Sequence, residues 1–144
     1  MKAFTLIEIL LVVIILTVLT GSVVPISINF YKTQQLDVNV RGVIQSLRRA
    51  QLKAMSIEGD SSFGVYLTND NYTLFRGSSF SARDISYDEI FDLPQVITVS
   101  GIQEIAFSKF EGMPIGGLTG DVILDSSGNS RTININEIGR INLE

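Results

Sequence analysis

The chain has 144 residues, enough for one modest domain with some length to spare for an appendage. It contains no cysteine and no histidine, which excludes thiol nucleophiles, disulfides, Cys/His metal sites and the commonest general base. The net charge of -4 hides an asymmetry, because residues 30–57 carry five basic residues and one acidic residue, whereas residues 58–144 carry five basic and 13 acidic residues. The chain thus has an apolar start, a basic middle and an acidic end, so separate copies would not simply repel one another.

The apolar start contains one unexpected charge. Residues 4–28 are almost all apolar, yet Glu8 lies among them with no basic residue in the run, and a carboxylate in hydrocarbon costs about 3 kcal/mol or more unless it is paired or protonated. About 20 apolar residues suffice to cross a bilayer as a helix, and Lys2 before the run indicates a cytoplasmic N-terminus. A single-pass anchor is therefore predicted, with a removable secretory signal ending near residues 19–22 as an alternative. Neither interpretation explains Glu8, unless its side chain simply reaches the membrane surface.

A second helical pattern follows without a linker. Apolar residues recur at alternating spacings of four and three, which places them on one face of an α-helix: Leu36, Val40, Val43, Leu47, Ala50, Ala54 and Ile57. Between the two patterns, Gly21 weakens the helix and Pro25 removes a backbone hydrogen bond, so a kink is predicted there. We predict one helix over residues 4–57, roughly 80 Å long, with an apolar half (4–28) and an amphipathic half (29–57).

The rest of the chain, residues 58–144, has the alternation and the β-branched and aromatic content of short strands. Strands are predicted at residues 62–67, 72–77, 95–101, 102–110, 121–125, 131–136 and 139–143. Residues 78–94 are predicted as a looser excursion. A long helix followed by antiparallel strands indicates an α+β fold, in which the amphipathic half of the helix covers the apolar face of a β-sheet head.

The stretch "A-FTLIE" at residues 3–8, followed by an apolar helix, resembles the class III signal of type IV pilins and type II secretion pseudopilins. The resemblance implies that a prepilin peptidase cuts between Ala3 and Phe4, removes the leader 1–3 and leaves Phe4 to be N-methylated. The family usually has glycine where this chain has Ala3. The resemblance also implies that Glu8 recruits the subunit into a filament by neutralising a neighbour's N-terminus, and that Pro25 is the family's helix-kinking proline.

Within that superfamily, the head is most similar to the GspH/FimT-type group, through segments at residues 47–56, 105–114, 120–124, 131–136 and 139–141. This similarity implies a pilin-like fold and a minor pseudopilin or minor pilin, which is a structural subunit. Because the chain lacks histidine and cysteine, we expect neither an enzyme nor a bound cofactor. The implied partners are other such subunits, prepilin peptidase and the inner-membrane assembly platform. The implied location is the bacterial inner membrane, single-pass, and then a periplasmic or extracellular filament in which the basic residues of 30–57 meet acidic neighbours.

Two other functions stay open. Some FimT-like minor pilins bind DNA through a basic motif after the closing glycine, where this chain has Arg140 in "GRINLE". DNA affinity depends on several phosphate contacts, and residues 58–144 have a net charge of -8, so nucleic acid is not the expected partner. The other alternative is a soluble binding protein exported through the Sec pathway, which would lose its N-terminal segment.

Two clusters of polar residues invite a chemical interpretation. Asp88, Glu89 and Asp92 resemble an acid/base group, but a solvated acidic loop is the expected structure. Residues 125–129 ("DSSGN") offer oxygen atoms to Ca²⁺, yet only Asp125 is charged, so a hairpin turn is predicted instead.

Overall fold

The structure is a computed structural model that describes residues 4–144, apart from the side chains of residues 22–29. Within this range one long α-helix, α1 (Leu6–Met55), precedes eight β-strands. The strands are β1 (Phe63–Leu67), β2 (Asn71–Arg76), β3 (Asp84–Asp92), β4 (Thr98–Gly101), β5 (Glu104–Phe107), β6 (Gly120–Ser126), β7 (Asn129–Ile135) and β8 (Ile141–Leu143). The predicted α+β class is confirmed.

The helix has nearly the predicted bounds. Its 50 residues correspond to about 75 Å at 1.5 Å per residue. Six of the seven predicted stripe residues are at most 1% exposed: Leu36, Val40, Val43, Leu47, Ala50 and Ala54. The seventh, Ile57, is 37% exposed, so its prediction as a core residue is wrong. The reason is that the chain has already left the helix at Ile57, where φ is 59°, a left-handed conformation that a helix cannot continue through.

The helical backbone continues through Gly21 and Pro25. A side chain at Gly21 would meet nothing within 4 Å, and the side chain of Pro25 lies outside the described residues. The kink predicted at these two positions stays a prediction.

The predicted membrane span is not supported by the structure. In the part of the chain that the structure describes, no helix is both long enough and apolar enough to cross a membrane. A span requires about 20 apolar residues, and the apolar part of α1 with described side chains ends at Gly21. The expectation of a single-pass protein of the bacterial inner membrane is contradicted by this finding.

The strands form two antiparallel sheets, where one had been predicted. The first has the order β3-β2-β1-β5 and the second the order β4-β6-β7-β8. The buried face of α1 packs against both sheets in one continuous core. Each sheet supplies fully buried side chains to it, among them Phe63, Val65, Leu74, Ile105 and Phe107 from the first and Val122, Leu124, Ile133 and Ile135 from the second.

Residues 78–94 are more regular than predicted. They contain a 3₁₀ turn (Phe80–Ala82) and β3, whose nine residues make it the longest strand. The pairs Leu74↔Glu89 and Arg76↔Asp84 leave four residues of β3 opposite Phe75 alone, an irregular β-bulge larger than the usual two-against-one kind. No β3 residue is fully buried. The strand therefore lacks the buried face that the other strands present to the core.

The face of the first sheet that points away from α1 carries a small aromatic cluster. Phe80 stacks on Tyr66 with 4.0 Å between ring centroids and meets Phe75 edge-on at 5.7 Å. Phe75 is fully buried as a result. Gly64 lies beneath it, and a Cβ there would lie 2.5 Å from the Phe75 ring and 2.6 Å from the Ile105 carbonyl oxygen. This close approach explains why glycine occupies the middle of β1.

The packing of α1 generates a paired prediction about stability. Leu47 is 0% exposed and Leu52, on the same helix, is 65% exposed. Leu47→Ala should lower the free energy of unfolding by about 2–5 kcal/mol because it leaves a cavity between the sheets. Leu52→Ala, the same chemical change on the outer face, should alter it by less than about 0.5 kcal/mol. Urea denaturation of the two full-length variants measures the difference. Equal losses would show that the core does not lie where the burial places it.

Candidate functional site

The start of α1, residues 4–21, is apolar around its whole circumference, and its large apolar side chains with described positions are exposed. Thirteen large apolar side chains between Phe4 and Leu19 are 47–82% exposed: Phe4, Leu6, Ile7, Ile9, Leu10, Leu11, Val12, Val13, Ile14, Ile15, Leu16, Val18 and Leu19. We call this surface, residues 4–21, the apolar stem. Soluble monomers rarely expose contiguous apolar patches larger than a few hundred Å². The apolar stem is therefore the main candidate for a functional surface.

The polar side chains of the apolar stem are satisfied by the stem itself. The hydroxyls of Thr17 and Thr20 donate to the carbonyl oxygens of Val13 and Leu16, each at 2.7 Å. Such bonds to the carbonyl four residues earlier are a standard way for threonine to satisfy its hydroxyl within a helix. The stem can thus be covered by apolar partners without leaving a threonine hydroxyl unpaired.

The two remaining polar side chains, Thr5 and Glu8, close the start of the helix. The backbone N–H and the hydroxyl of Thr5 donate to Glu8 Oε2 at 3.1 and 3.0 Å, and the Glu8 N–H donates to Thr5 Oγ1 at 3.4 Å. This is a capping box, in which an N-cap threonine and the glutamate three residues later satisfy each other's backbone donors. The backbone and then the hydroxyl bond from Thr5 lower the pKa of Glu8 below its ordinary value of 4.5.

The capping box corrects one step of the sequence argument. The resemblance to pilins implies that the partner of Glu8 is a neighbour's N-terminal amine. Thr5 supplies two donors from within the chain. The sequence contains the signal for this contact, because threonine followed three residues later by glutamate at the start of a helical run predicts a capping box.

The other predicted site residues divide between two regions. Phe4 lies just before the helix and is 80% exposed. It lines a shallow apolar groove of about 530 Å³ together with Leu6, Ile9, Leu10 and Val13. Ala3, on the other side of the predicted cut, lies outside the described residues. Arg140 lies far along the chain, in the turn that leads into β8.

Part of the basic segment is neutralised within the chain. Arg49 makes a bidentate pair with Glu89 of β3, at 2.7 and 3.0 Å, and Lys53 lies 3.5 Å from the same carboxylate. Arg131 of β7 pairs with Asp37 of α1 at 2.9 Å. Arg49 and Lys53 are therefore paired within the chain, and the acidic filament neighbours expected for the basic segment stay a prediction.

The predicted acidic loop is a strand with two neutralised carboxylates. Glu89 pairs with Arg49, and Asp88, whose side chain is 9% exposed, accepts a hydrogen bond from Arg83 Nε at 2.8 Å. The other carboxylate oxygen of Asp88, Oδ1, is buried and has no hydrogen-bond partner among the residues that the structure describes. Asp92 is exposed at the end of β3. The expectation of a solvated loop is wrong for the two paired residues, because basic residues of α1 and of the preceding turn lie against them.

The turn at residues 125–129 is the predicted hairpin between β6 and β7, with left-handed φ at Ser127 (55°) and Gly128 (85°). Its Ser127 hydroxyl accepts a hydrogen bond from Lys32 Nζ at 3.2 Å, so the turn rests on α1. Among residues 4–144, excluding the side chains of 22–29, no group of three or more acidic residues is placed to hold a metal ion.

No protein-family model, curated protein or solved structure matches this chain. The family resemblance of the N-terminal stretch and of the head therefore stays a hypothesis.

The capping box predicts how the start of the helix responds to pH. Because the pKa of Glu8 is lowered in the folded helix, the capping contribution is present above the unfolded pKa and is lost as pH falls through the lowered pKa. Thr5→Val removes the hydroxyl donor and should move the pKa of Glu8 upward. A carboxyl ¹³C NMR titration of the two full-length proteins measures this shift. An unchanged pKa would show that the Thr5 hydroxyl does not bind the carboxylate in solution.

Proposed function

We propose that this chain is a structural subunit of the type IV pilin or type II secretion pseudopilin kind, with a pilin-like fold, and that it assembles into a filament through its apolar stem. The observation that carries the proposal is the stem itself. Its apolar side chains are exposed all round, while its threonines and Glu8 are satisfied locally. A surface of this kind is suited to burial among other apolar helices.

The energy available from such burial is sufficient for assembly. Fully burying one large apolar side chain contributes about 1.5–3 kcal/mol, so covering six of the 13 would contribute on the order of 10–20 kcal/mol. Association costs roughly 4–15 kcal/mol in lost translational and rotational freedom. Burial of six side chains is thus comparable with the cost of association, and burial of all 13, roughly 20–40 kcal/mol, exceeds it.

Glu8 has a second role in this proposal. Both Thr5 donors bind Oε2, so Oε1 is left to accept a further bond. The lowered pKa favours the charged form. If prepilin peptidase cuts between Ala3 and Phe4, a neighbour's new α-amino group at Phe4 is a cation of the right kind, and its attraction to Glu8 would be strong where water is excluded. Glu8 would then set the axial stagger between subunits, while Thr5 holds the carboxylate in position.

The two alternatives have less support. A DNA-binding subunit would use Arg140, which shares a groove with Arg48, but the head as a whole carries a net charge of -8 and DNA affinity requires several phosphate contacts. An exported soluble binding protein would lose residues 4–21 as its signal peptide, but the apolar run is longer than the roughly 7–15 residues typical of a signal's apolar core.

The chemical identity of the N-terminus tests the processing step. Protein isolated from its host should begin at N-methylated Phe4, because the predicted cut falls between Ala3 and Phe4. Intact-mass measurement and N-terminal sequencing determine the start. A start near Val23 would exclude assembly through the apolar stem and favour the exported binding protein.

Glu8→Gln separates the two roles of Glu8. Glutamine at this position can still complete a capping box, but it carries no charge. If the charge pairs with a neighbour's amine, assembled filament should fall at least tenfold while the amount of processed subunit stays unchanged. Sedimentation of sheared filaments, followed by quantitation of the pellet, measures assembly.

Two further variants complete this test. Glu111→Gln makes the same substitution at an exposed head residue and should assemble normally. Glu8→Ala removes both the charge and the cap. Normal assembly of Glu8→Gln with failure of Glu8→Ala would show that Glu8 acts only as a cap and that no pairing between subunits takes place.

A further inference from the structure

The outer face of α1 carries positive charge that the chain itself leaves unpaired. Residues 38–57 contain four basic residues and no acidic one. Arg49 and Lys53 are paired with Glu89. Within the described part of the chain, Arg41, Arg48 and Arg140 are the arginines whose side chains form neither an ion pair nor a hydrogen bond, and all three are exposed.

Two of these arginines line the same groove. The groove has a volume of about 480 Å³ and lies between α1 and the segment that leads into β8. Its walls are Arg48, Gln51 and Leu52 from the helix and Gly139, Arg140, Ile141 and Asn142 from the other side. No acidic residue lines it. We call it the arginine groove.

The arginine groove is held in shape by Gln51. The side-chain amide of Gln51 donates to the carbonyl oxygens of Gly112 and Gly139, both at 2.9 Å. These two bonds fix the 139–142 segment, and with it Arg140, relative to the helix that carries Arg48. The groove also offers an apolar contact, because Leu52 is 65% exposed. Its chemistry therefore suits a ligand that combines carboxylates with apolar side chains.

The edge strand β3 has that combination. Its nine residues include four acidic residues and no basic one. Asp84 and Asp92 are exposed and form no ion pair among the described residues. The strand also exposes Ile85 (71%), Ile90 (64%) and Tyr87 (49%). It lies at the edge of the first sheet and pairs only with β2, so its outer edge is open to a partner.

The two surfaces cannot meet within one chain. The paired residues Arg49 and Lys53 lie on the flank of α1 that faces the first sheet, where they hold Glu89 of β3. The arginine groove lies on a different flank, because Arg48 and Leu52 are each rotated by about 100° from Arg49 and Lys53, beside the segment that leads into β8 of the second sheet. A contact between the groove and β3 must therefore join two copies, and it uses a different surface on each.

We propose that the arginine groove binds the β3 edge of a second copy of this chain, with Arg48 and Arg140 facing Asp84 and Asp92 and with Leu52 against the exposed isoleucines. This interface deepens the proposed assembly and rests on it. Exposed ion pairs are individually weak, so they require the high effective concentration that bundled stems provide. The contact joins two different surfaces head-to-tail, so its repetition extends a chain of subunits or closes a ring.

Engineered cysteines test the contact, since the natural chain has none. Leu52→Cys places a thiol in the groove and Ser86→Cys places one on the exposed bulge of β3. Full-length chains carrying one or the other are co-assembled and oxidised with copper phenanthroline. A disulfide-linked dimer should form in the mixture and should be at least tenfold less abundant with either chain alone.

Charge reversal tests the proposed chemistry. Arg48→Glu with Arg140→Glu, made in the Leu52→Cys chain, should reduce cross-linking at least fivefold, and Asp84→Arg with Asp92→Arg in the Ser86→Cys chain should restore it. Arg41→Glu is the matched control, because Arg41 is an exposed arginine of the same helix that does not line the groove. Equal loss with Arg41→Glu, or no restoration, would overturn the specific pairing.

The remaining outcomes separate this interface from the proposed function. If filaments form and still depend on Glu8, but the mixture gives no dimer, the interface is wrong and assembly through the stem stands. If no filaments form, both proposals fail. If a labelled DNA duplex is retained by the natural chain at physiological salt and lost on reversing Arg48 and Arg140, with no cross-link, the groove is a nucleic-acid site and the inference is overturned.

Discussion

The packing of one helix face between two sheets organises the whole head. Small and branched side chains from Leu36 to Ala54 pack against buried residues of both sheets in one core cluster. Because the helix is fixed on this side, the orientation of every outward residue is fixed as well. Arg49 is brought to Glu89 and Gln51 to the carbonyls of residues 112 and 139. The surface charges are therefore consequences of the core.

The helix could be predicted from the sequence because its signal is local. A stripe with spacings of three and four residues specifies both the element and its buried face, and it failed only at Ile57, where the backbone turns left-handed. The division into two sheets could not be predicted, because the strand pairings are non-local and short apolar runs do not reveal their partners. The edge strand β3 was missed because it is half-exposed and bulged.

The candidate sites show the same distinction. The apolar stem and Glu8 were evident from composition, and the Thr5–Glu8 cap was encoded in four consecutive residues. The arginine groove was not accessible in this way, because Arg48 and Arg140 lie on distant segments that meet only after the second sheet has formed against α1. In the sequence, Arg140 is a single candidate for a phosphate contact. In the fold, Arg140 lines a groove with Arg48, and the chemistry of this groove suits a ligand that combines carboxylates with apolar side chains.

The continuity of α1 has a mechanical consequence. One uninterrupted helical backbone joins Glu8 to Arg48, so the two ends are linked in angle as well as in distance. Adding or deleting one residue in this segment would shift one end by about 1.5 Å and rotate it by about 100° relative to the other. Substitutions along the helix preserve the angle between its two ends, whereas insertions and deletions change it. The number of residues between stem and head is thus under a stricter constraint than their identity.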